Sequence, residues 1–172
     1  MLNIAIYFWR MCLLRESPQT LPSSNFVTGF ILALYLPVAI VVSSLARPAE
    51  TIDVTLIVVA TSVLIQAFIT YTLTTFKGYP ERFRTTWTAI LGTNAFMLLV
   101  LLPSSLIIVN VENQMMNLLA DSAWWICFGW WLAIAGNIYH RAINISLLQG
   151  SAIAFLTEML SVFATLSIVP GS

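Results

Sequence analysis

Val54 to Phe76 reads VTLIVVATSVLIQAFITYTLTTF, with no charged side chain between Asp53 and Lys77. A helix needs about 20 predominantly apolar residues to cross the roughly 30 Å hydrocarbon core of a bilayer. This stretch is long enough, and it is not alone. Working outward, Phe26–Ala46 (FVTGFILALYLPVAIVVSSLA) precedes it, and three further segments follow at Trp87–Val109, Ala123–Tyr139 and Ser146–Ile168. The expected architecture is an all-α, polytopic transmembrane helical bundle of about five spans occupying residues 25–172.

Composition agrees with that reading. The chain of 172 residues is 59% hydrophobic and only 8% charged, against about 25% charged in soluble domains. A water-soluble fold of this size would leave too much apolar surface exposed. Net charge is zero, so the basic stripe that nucleic-acid binding calls for is absent. The two cysteines, Cys12 and Cys127, form no CxxC motif and support neither a redox nor a zinc site. On the expected topology they lie toward opposite faces and never meet.

Residues 1–24 differ from the rest. MLNIAIYFWRMCLLR is apolar but too short to span, and Asn3, Tyr7 and Arg10 fall on one helical face. That pattern predicts a short amphipathic helix lying in the membrane interface. Pro18 and Pro22 then interrupt it, and Ser24 or Asn25 can cap the first span. Pro103 poses a separate question, because proline lacks an N–H and clashes with the preceding turn. The third span either kinks there and continues, or stops, leaving Ser104–Leu119 along the membrane surface.

Lys and Arg set the orientation. Arg10, Arg15, Lys77, Arg82, Arg84 and Arg141 fall on one side of the spans, and only Arg47 falls on the other. Short loops rich in Lys and Arg stay cytoplasmic. The expectation is a multi-pass protein of a bacterial cytoplasmic (inner) membrane, N-terminus cytoplasmic and C-terminal VPGS periplasmic. Trp87, Trp124 and Trp125 sit where aromatic belts form. His140, beside Arg141 at the end of the fourth span, reads as a headgroup contact, since a metal site needs companion ligands. The loop KGYPERFR, Lys77–Arg84, is the most charged stretch and favours anionic lipid.

Inside the fifth span lies Glu158, near mid-helix. An acidic residue there costs about 2.5–3.5 kcal/mol on insertion scales. No Lys or Arg is expected at its depth, but Gln66 and Asn94 are. The expected arrangement turns Glu158 inward to an intramembrane polar cluster with Gln66 and Asn94. The plainer role for such a cluster is to hold helices together; the sharper one is proton handling, ligand binding or contact with a partner helix. Gly150 and Ala154, at four-residue spacing before Glu158, form a ridge that admits a neighbouring backbone. Trp124, Phe128 and Trp131, with Trp130 beside them, make an aromatic stripe, read as helix or lipid packing before any pigment contact.

Phosphate-loop, dinucleotide, metalloprotease and serine-hydrolase motifs are absent, so neither enzymatic activity nor a cofactor is expected. The segments FRTTWTAILGTNAFMLLVLLP and WWLAIAGNIYHRAINISLLQG resemble those of small bacterial members of the Yip (Ypt-interacting protein)-like family, with a basic loop, Gly92-Thr93-Asn94 in a span, and a span ending at His140-Arg141. The eukaryotic DLYGP-type motif is missing. The resemblance implies a five-span fold and a scaffold role, and it supplies no catalytic residues. The expected function is an accessory or scaffold subunit of a larger membrane complex, contacting lipids and other integral membrane subunits. A proton- or ion-coupled transporter or channel component using Glu158 is the alternative.

Overall fold

In a computed structural model the protein is described over residues 2–21 and 24–168, the side chains of residues 2–5 and 20 excepted. Asn3's side chain, Pro22 and the terminal VPGS therefore lie outside the described residues. Six α-helices account for most of the chain, and no strand occurs among the described residues. They are α1 (Leu2–Cys12), α2 (Asn25–Ala46), α3 (Ile52–Phe76), α4 (Phe83–Asn110), α5 (Gln114–Ile143) and α6 (Leu147–Ile168). The last five are long and apolar enough to cross a membrane.

Local chemistry places the helix ends. Ser24 caps α2, its Oγ accepting from the Phe26 N–H at 3.3 Å. Asn113 caps α5, its Oδ1 accepting from the Met115 and Met116 N–H groups at 3.0 and 3.3 Å. α5 ends at Asn144 in the left-handed region, φ 54°, a conformation asparagine tolerates. Ser146 and Gln149 then form a reciprocal capping box at the start of α6, with bonds of 3.0 and 3.2 Å.

One boundary resolves an alternative the sequence left open, and another differs from the sequence reading. α4 runs through Pro103 to Asn110 without stopping, so Ser104–Asn110 completes a span and does not lie along the surface. The Asn113 cap makes residues 114–122 the opening turns of α5, and the fourth span exceeds 123–139 at both ends. At 1.5 Å per residue, α4 and α5 are about 42 and 45 Å long, against about 33 Å for α2 and α6. Measured from the Thr28–Thr88 and Gly136–Gly150 contacts, they run about four residues, or roughly 6 Å, farther than α2 and α6 at their shared turn. Met115, Leu118 and Leu119 are exposed there.

In space the spans run α2, α4, α5, α6, α3, and α3 also touches α2, closing the bundle. α4 is the central helix, and its first half is buried almost continuously from Thr85 to Thr93. A hydroxyl pair, Thr28 and Thr88 at 2.8 Å, joins it to α2. Helix association in lipid has no hydrophobic driving force and depends on close approach. α5 and α6 achieve it at two glycines. A Cβ on Gly150 would lie 2.3 Å from the Gly136 carbonyl oxygen, and one on Gly136 would lie 2.8 Å from the Ser151 nitrogen. The sequence ridge at Gly150 is thus a backbone contact with α5.

α1 docks on the bundle. Phe8, Met11 and Cys12 are buried, the Phe8 ring covers Gly92 of α4, and Trp9 meets Phe96 with ring centroids 5.3 Å apart. The Cys12 carbonyl accepts from Trp130 Nε1 at 2.8 Å. Its apolar face thus packs on the middle of α4 and α5. Trp130 lies one turn from Cys127, so the two cysteines are nearer than the topology suggested, although both remain free thiols.

Candidate functional site

Two faces meet along α3 and α6. α3 buries Thr55, Val59, Gln66, Thr70 and Thr74; α6 buries Gly150, Ala154, Thr157, Ser161 and Thr165. Both sets recur at helical spacing and, apart from Val59 and Gln66, are small or hydroxylated. Most hydroxyls bond to their own helix four residues back: Thr157 to the Ile153 carbonyl at 2.8 Å, Ser161 to Thr157 at 3.0 Å, Thr165 to Ser161 at 2.9 Å. Such bonds satisfy the hydroxyl without joining two helices. The seam is therefore polar but weakly cross-linked.

At the end of the bundle where α2 turns into α3, the seam opens into a pocket of about 270 Å³. Arg47 and Glu50 line its mouth, Val58 and Ser62 its α3 wall, and Ser161 and Thr165 its α6 wall. Glu158 lines it at the deep end, two turns or about 12 Å of helix from Leu166 at the rim. Arg47 pairs with Glu50 at 3.6 Å, while the second oxygen of Glu50 is buried and unpartnered. The Tyr35 hydroxyl of α2 lies within electrostatic reach of Glu158, which places the carboxyl on the bundle side of α6. The sequence reading allowed no cation near Glu158, yet Arg47 reaches its pocket from the end of α2.

The three residues of the expected polar cluster are distributed differently. No hydrogen bond joins Glu158 to Gln66 or Asn94 among the described residues. Asn94 Oδ1 instead accepts from Trp131 Nε1 at 2.7 Å, tying α4 to α5. The Gln66 side chain is 8% exposed and makes no hydrogen bond to another side chain among the described residues. It faces a second, water-sized cavity of about 10 Å³, shared with Thr157 and Tyr139. Tyr139 is fully buried and its hydroxyl pairs with Thr70 at 3.0 Å. Arg47, Glu50, Ser62, Tyr35 and Tyr139 were missed from sequence; the hydroxyls at helical spacing on α3 and α6 were the signal that could have pointed to the seam.

Most of the remaining candidates gather at the opposite, basic end. Arg82 donates to the Ala142 carbonyl at 2.9 Å and lies 4.2 Å over the Tyr79 ring. Arg141 donates to Asn137 Oδ1 at 3.3 Å, and its carbonyl accepts from Gln19. His140 Nδ1 contacts the Ile145 carbonyl. Lys77 and Arg84 are exposed. Arg10 pairs with Glu16 at 3.6 Å. Trp87 is packed inward, its ring stacked on Phe83 at 5.8 Å and its Nε1 buried without a partner. Trp125 is exposed, whereas Trp124 stacks on Phe128 at 5.3 Å and Phe128 on Trp131 at 5.9 Å. No group of three metal-ligating side chains occurs among the described residues. Outside the spans, burial pushes the Cys12 thiol up to about 11.

Fold and site together define a small integral membrane protein of five apolar helices, with a polar pocket that ends on an acidic side chain near mid-helix. Compared with models of protein families, with curated proteins and with solved structures, the chain matches none.

Proposed function

We propose that the protein is a component of a membrane transport system that handles protons or small cations through Glu158, and that it catalyses no covalent chemistry. One observation carries this reading. Glu158 binds no neighbouring helix and lines a pocket that opens toward one end of the bundle. A carboxyl serving to hold helices together would be hydrogen-bonded across an interface. An ionisable group deep in a bilayer and facing a polar cavity marks an ion or proton route. The basic end, with Lys77, Arg82, Arg84 and Arg141, is cytoplasmic in this reading, so the pocket opens on the periplasmic side of a bacterial inner membrane.

The test is flux. Purified protein in liposomes with an internal pH dye should dissipate an imposed proton gradient, or move a cation with it. Glu158→Gln keeps the size and removes the titratable proton, and should abolish that flux while thermal unfolding is unchanged. Flux in the variant equal to that of the parent would reject the proposal.

A second reading, an accessory or scaffold subunit docking other integral membrane proteins, draws on the projecting α4–α5 turn with exposed Met115, Leu118 and Leu119. The Yip-like resemblance points the same way. Purification in a mild detergent tests it: migration always as a lone chain counts against it.

A further inference from the structure

The proposed transport function names a carboxyl but not the cation it meets. The pocket at Glu158 holds about 270 Å³. An engineered cavity of about 150 Å³ takes benzene, so this one has space for about ten non-hydrogen atoms. A proton needs none of that space and a metal ion very little. Hard metal cations also require about six or more oxygens converging on one point. Here the oxygens are strung out: Ser161 and Thr165 stand about 4.5 and about 10.5 Å beyond Glu158 along α6, and Glu50 is at the mouth.

The lining is rich in acceptors. Ser161 donates its hydroxyl hydrogen to the Thr157 carbonyl at 3.0 Å and Thr165 to the Ser161 carbonyl at 2.9 Å, so toward a ligand each can only accept. Glu50 Oε2 is buried without a partner, while its other oxygen meets Arg47 at 3.6 Å. Ser62 can donate or accept. With Glu158 ionised, two carboxylates face one guanidinium, and the lining carries one net negative charge. Val58 and Val162, one turn outward from Ser62 and Glu158, add apolar surface to the two walls. Acceptors, one excess negative charge and apolar sides call for several N–H donors, one positive charge and a hydrocarbon body. We infer that the pocket binds a small primary ammonium compound, its nitrogen on Glu158 and its hydrocarbon body against Val58 and Val162.

The inference rests on the proposed function and names the cation that Glu158 handles. An ammonium brings three N–H donors. It enters past Glu50 Oε2, which accepts one of them, and moves inward to Glu158. There the opposite charge favours the carboxylate form. Where Glu158 carries a hydrogen, that proton leaves to water in the pocket as the ammonium arrives, one cation exchanged for another. A free amine fits this path better than a lipid headgroup. Phosphatidylethanolamine holds its ammonium only two carbons from its phosphate, too close for the nitrogen to reach Glu158, about 12 Å of helix below the rim, while the phosphate stays at the surface.

The test is equilibrium binding of radiolabelled n-butylammonium to the purified protein in detergent. The parent should bind one label per chain. Methylammonium, shorter by three methylenes, should displace it about 50-fold more weakly, and sodium and n-butanol should not displace it. Glu158→Gln removes the charge at the deep end, and Val162→Phe puts a ring into the wall at a half-exposed position. Each should weaken binding at least ten-fold. Thermal unfolding checks that each folds, and because they act on opposite ends of the ligand either one alone decides. Parent-like affinity in a folded variant, or displacement by sodium or n-butanol as strong as by methylammonium, overturns the inference. Displacement by short-chain phosphatidylethanolamine at the concentration of n-butylammonium overturns the free amine in favour of a headgroup. No saturable binding, with a proton flux that Glu158→Gln abolishes, overturns the ammonium and leaves the transport function standing. Binding without flux of any cation keeps the site and removes the transport function.

Discussion

Gly150→Ala is the sharpest structural perturbation available in this bundle. The new Cβ would stand 2.3 Å from the Gly136 carbonyl oxygen, 3.0 Å from its carbon and 3.1 Å from its Cα. Non-bonded carbon contacts are optimal near 3.5–4.0 Å, and every atom met is backbone, so no flexible side chain can yield. α5 and α6 must move apart by about 1 Å at their crossing. That also stretches the Ser151 Oγ bond to the Leu132 carbonyl, 3.1 Å in the native bundle. Overpacking of this kind costs about 1–3 kcal/mol, and backbone contact points to the upper half of that range. At 2–3 kcal/mol the ratio of folded to unfolded protein falls roughly 30- to 150-fold. The control is Gly129→Ala on the same α5, where a Cβ meets nothing within 4 Å. It should be neutral or slightly stabilising, because alanine is the better helix former. Titration with denaturing detergent from mixed micelles, followed by circular dichroism, reads both. Equal midpoints for Gly150→Ala and Gly129→Ala would refute a packing crossing at this glycine.

Gly136→Ala should be as harmful as Gly150→Ala, and Ser151→Ala should not rescue it, because the Ser151 nitrogen and Cα remain 2.8 and 3.0 Å from the new Cβ; the same detergent titration checks this. Gly92→Ala puts a Cβ 2.1 Å from the Phe8 ring and should undock α1. The readout is maleimide labelling of Cys12 in a Cys127→Ser background. Burial holds that thiol at about 11 against an ordinary 9.0, so undocking should raise its rate at pH 8 by up to about 100-fold. Because the thiol is raised, its protonated form favours the docked state; that contribution is complete below pH 9.0 and is lost as pH climbs toward about 11. Asn94→Leu leaves Trp131 Nε1 without its 2.7 Å acceptor and should cost about 1 kcal/mol, measured in the same titration.

The spans were legible because a bilayer imposes a length and a composition on whatever crosses it, and Val54–Phe76 meets both. Pro103 was not decidable from its own chemistry. A proline both removes a backbone donor and tolerates a kink, so the sequence around it allowed a stop or a continuation. The cap at Asn113 resolves the ambiguity from outside: a helix that starts at Gln114 leaves no room for a surface segment. α1 was half legible. Its apolar character was plain, but that Phe8 fits over Gly92 depends on a helix eighty residues away.

The polar cluster was misgrouped for a related reason. Depth can be counted along a span, so Glu158, Gln66 and Asn94 were all seen to lie near mid-bilayer. Which helices face one another cannot be counted. Asn94 looks toward α5 and is satisfied by Trp131, while Gln66 and Glu158 lie on the α3–α6 seam, each against its own cavity. The hydroxyls between them bond back onto their own helices, so they neither demand a partner nor close the gap. This division separates two kinds of intramembrane polar group. Asn94, Thr28 and Thr88 find protein partners, and their value is structural. Gln66 and Glu158 find no side-chain hydrogen-bond partner among the described residues, and a bundle selected only for stability would gain by replacing them with leucine, since an unsatisfied polar group in hydrocarbon is a cost. Of the groups that burden the fold and face space, Glu158 is the one on which the proposed transport function rests.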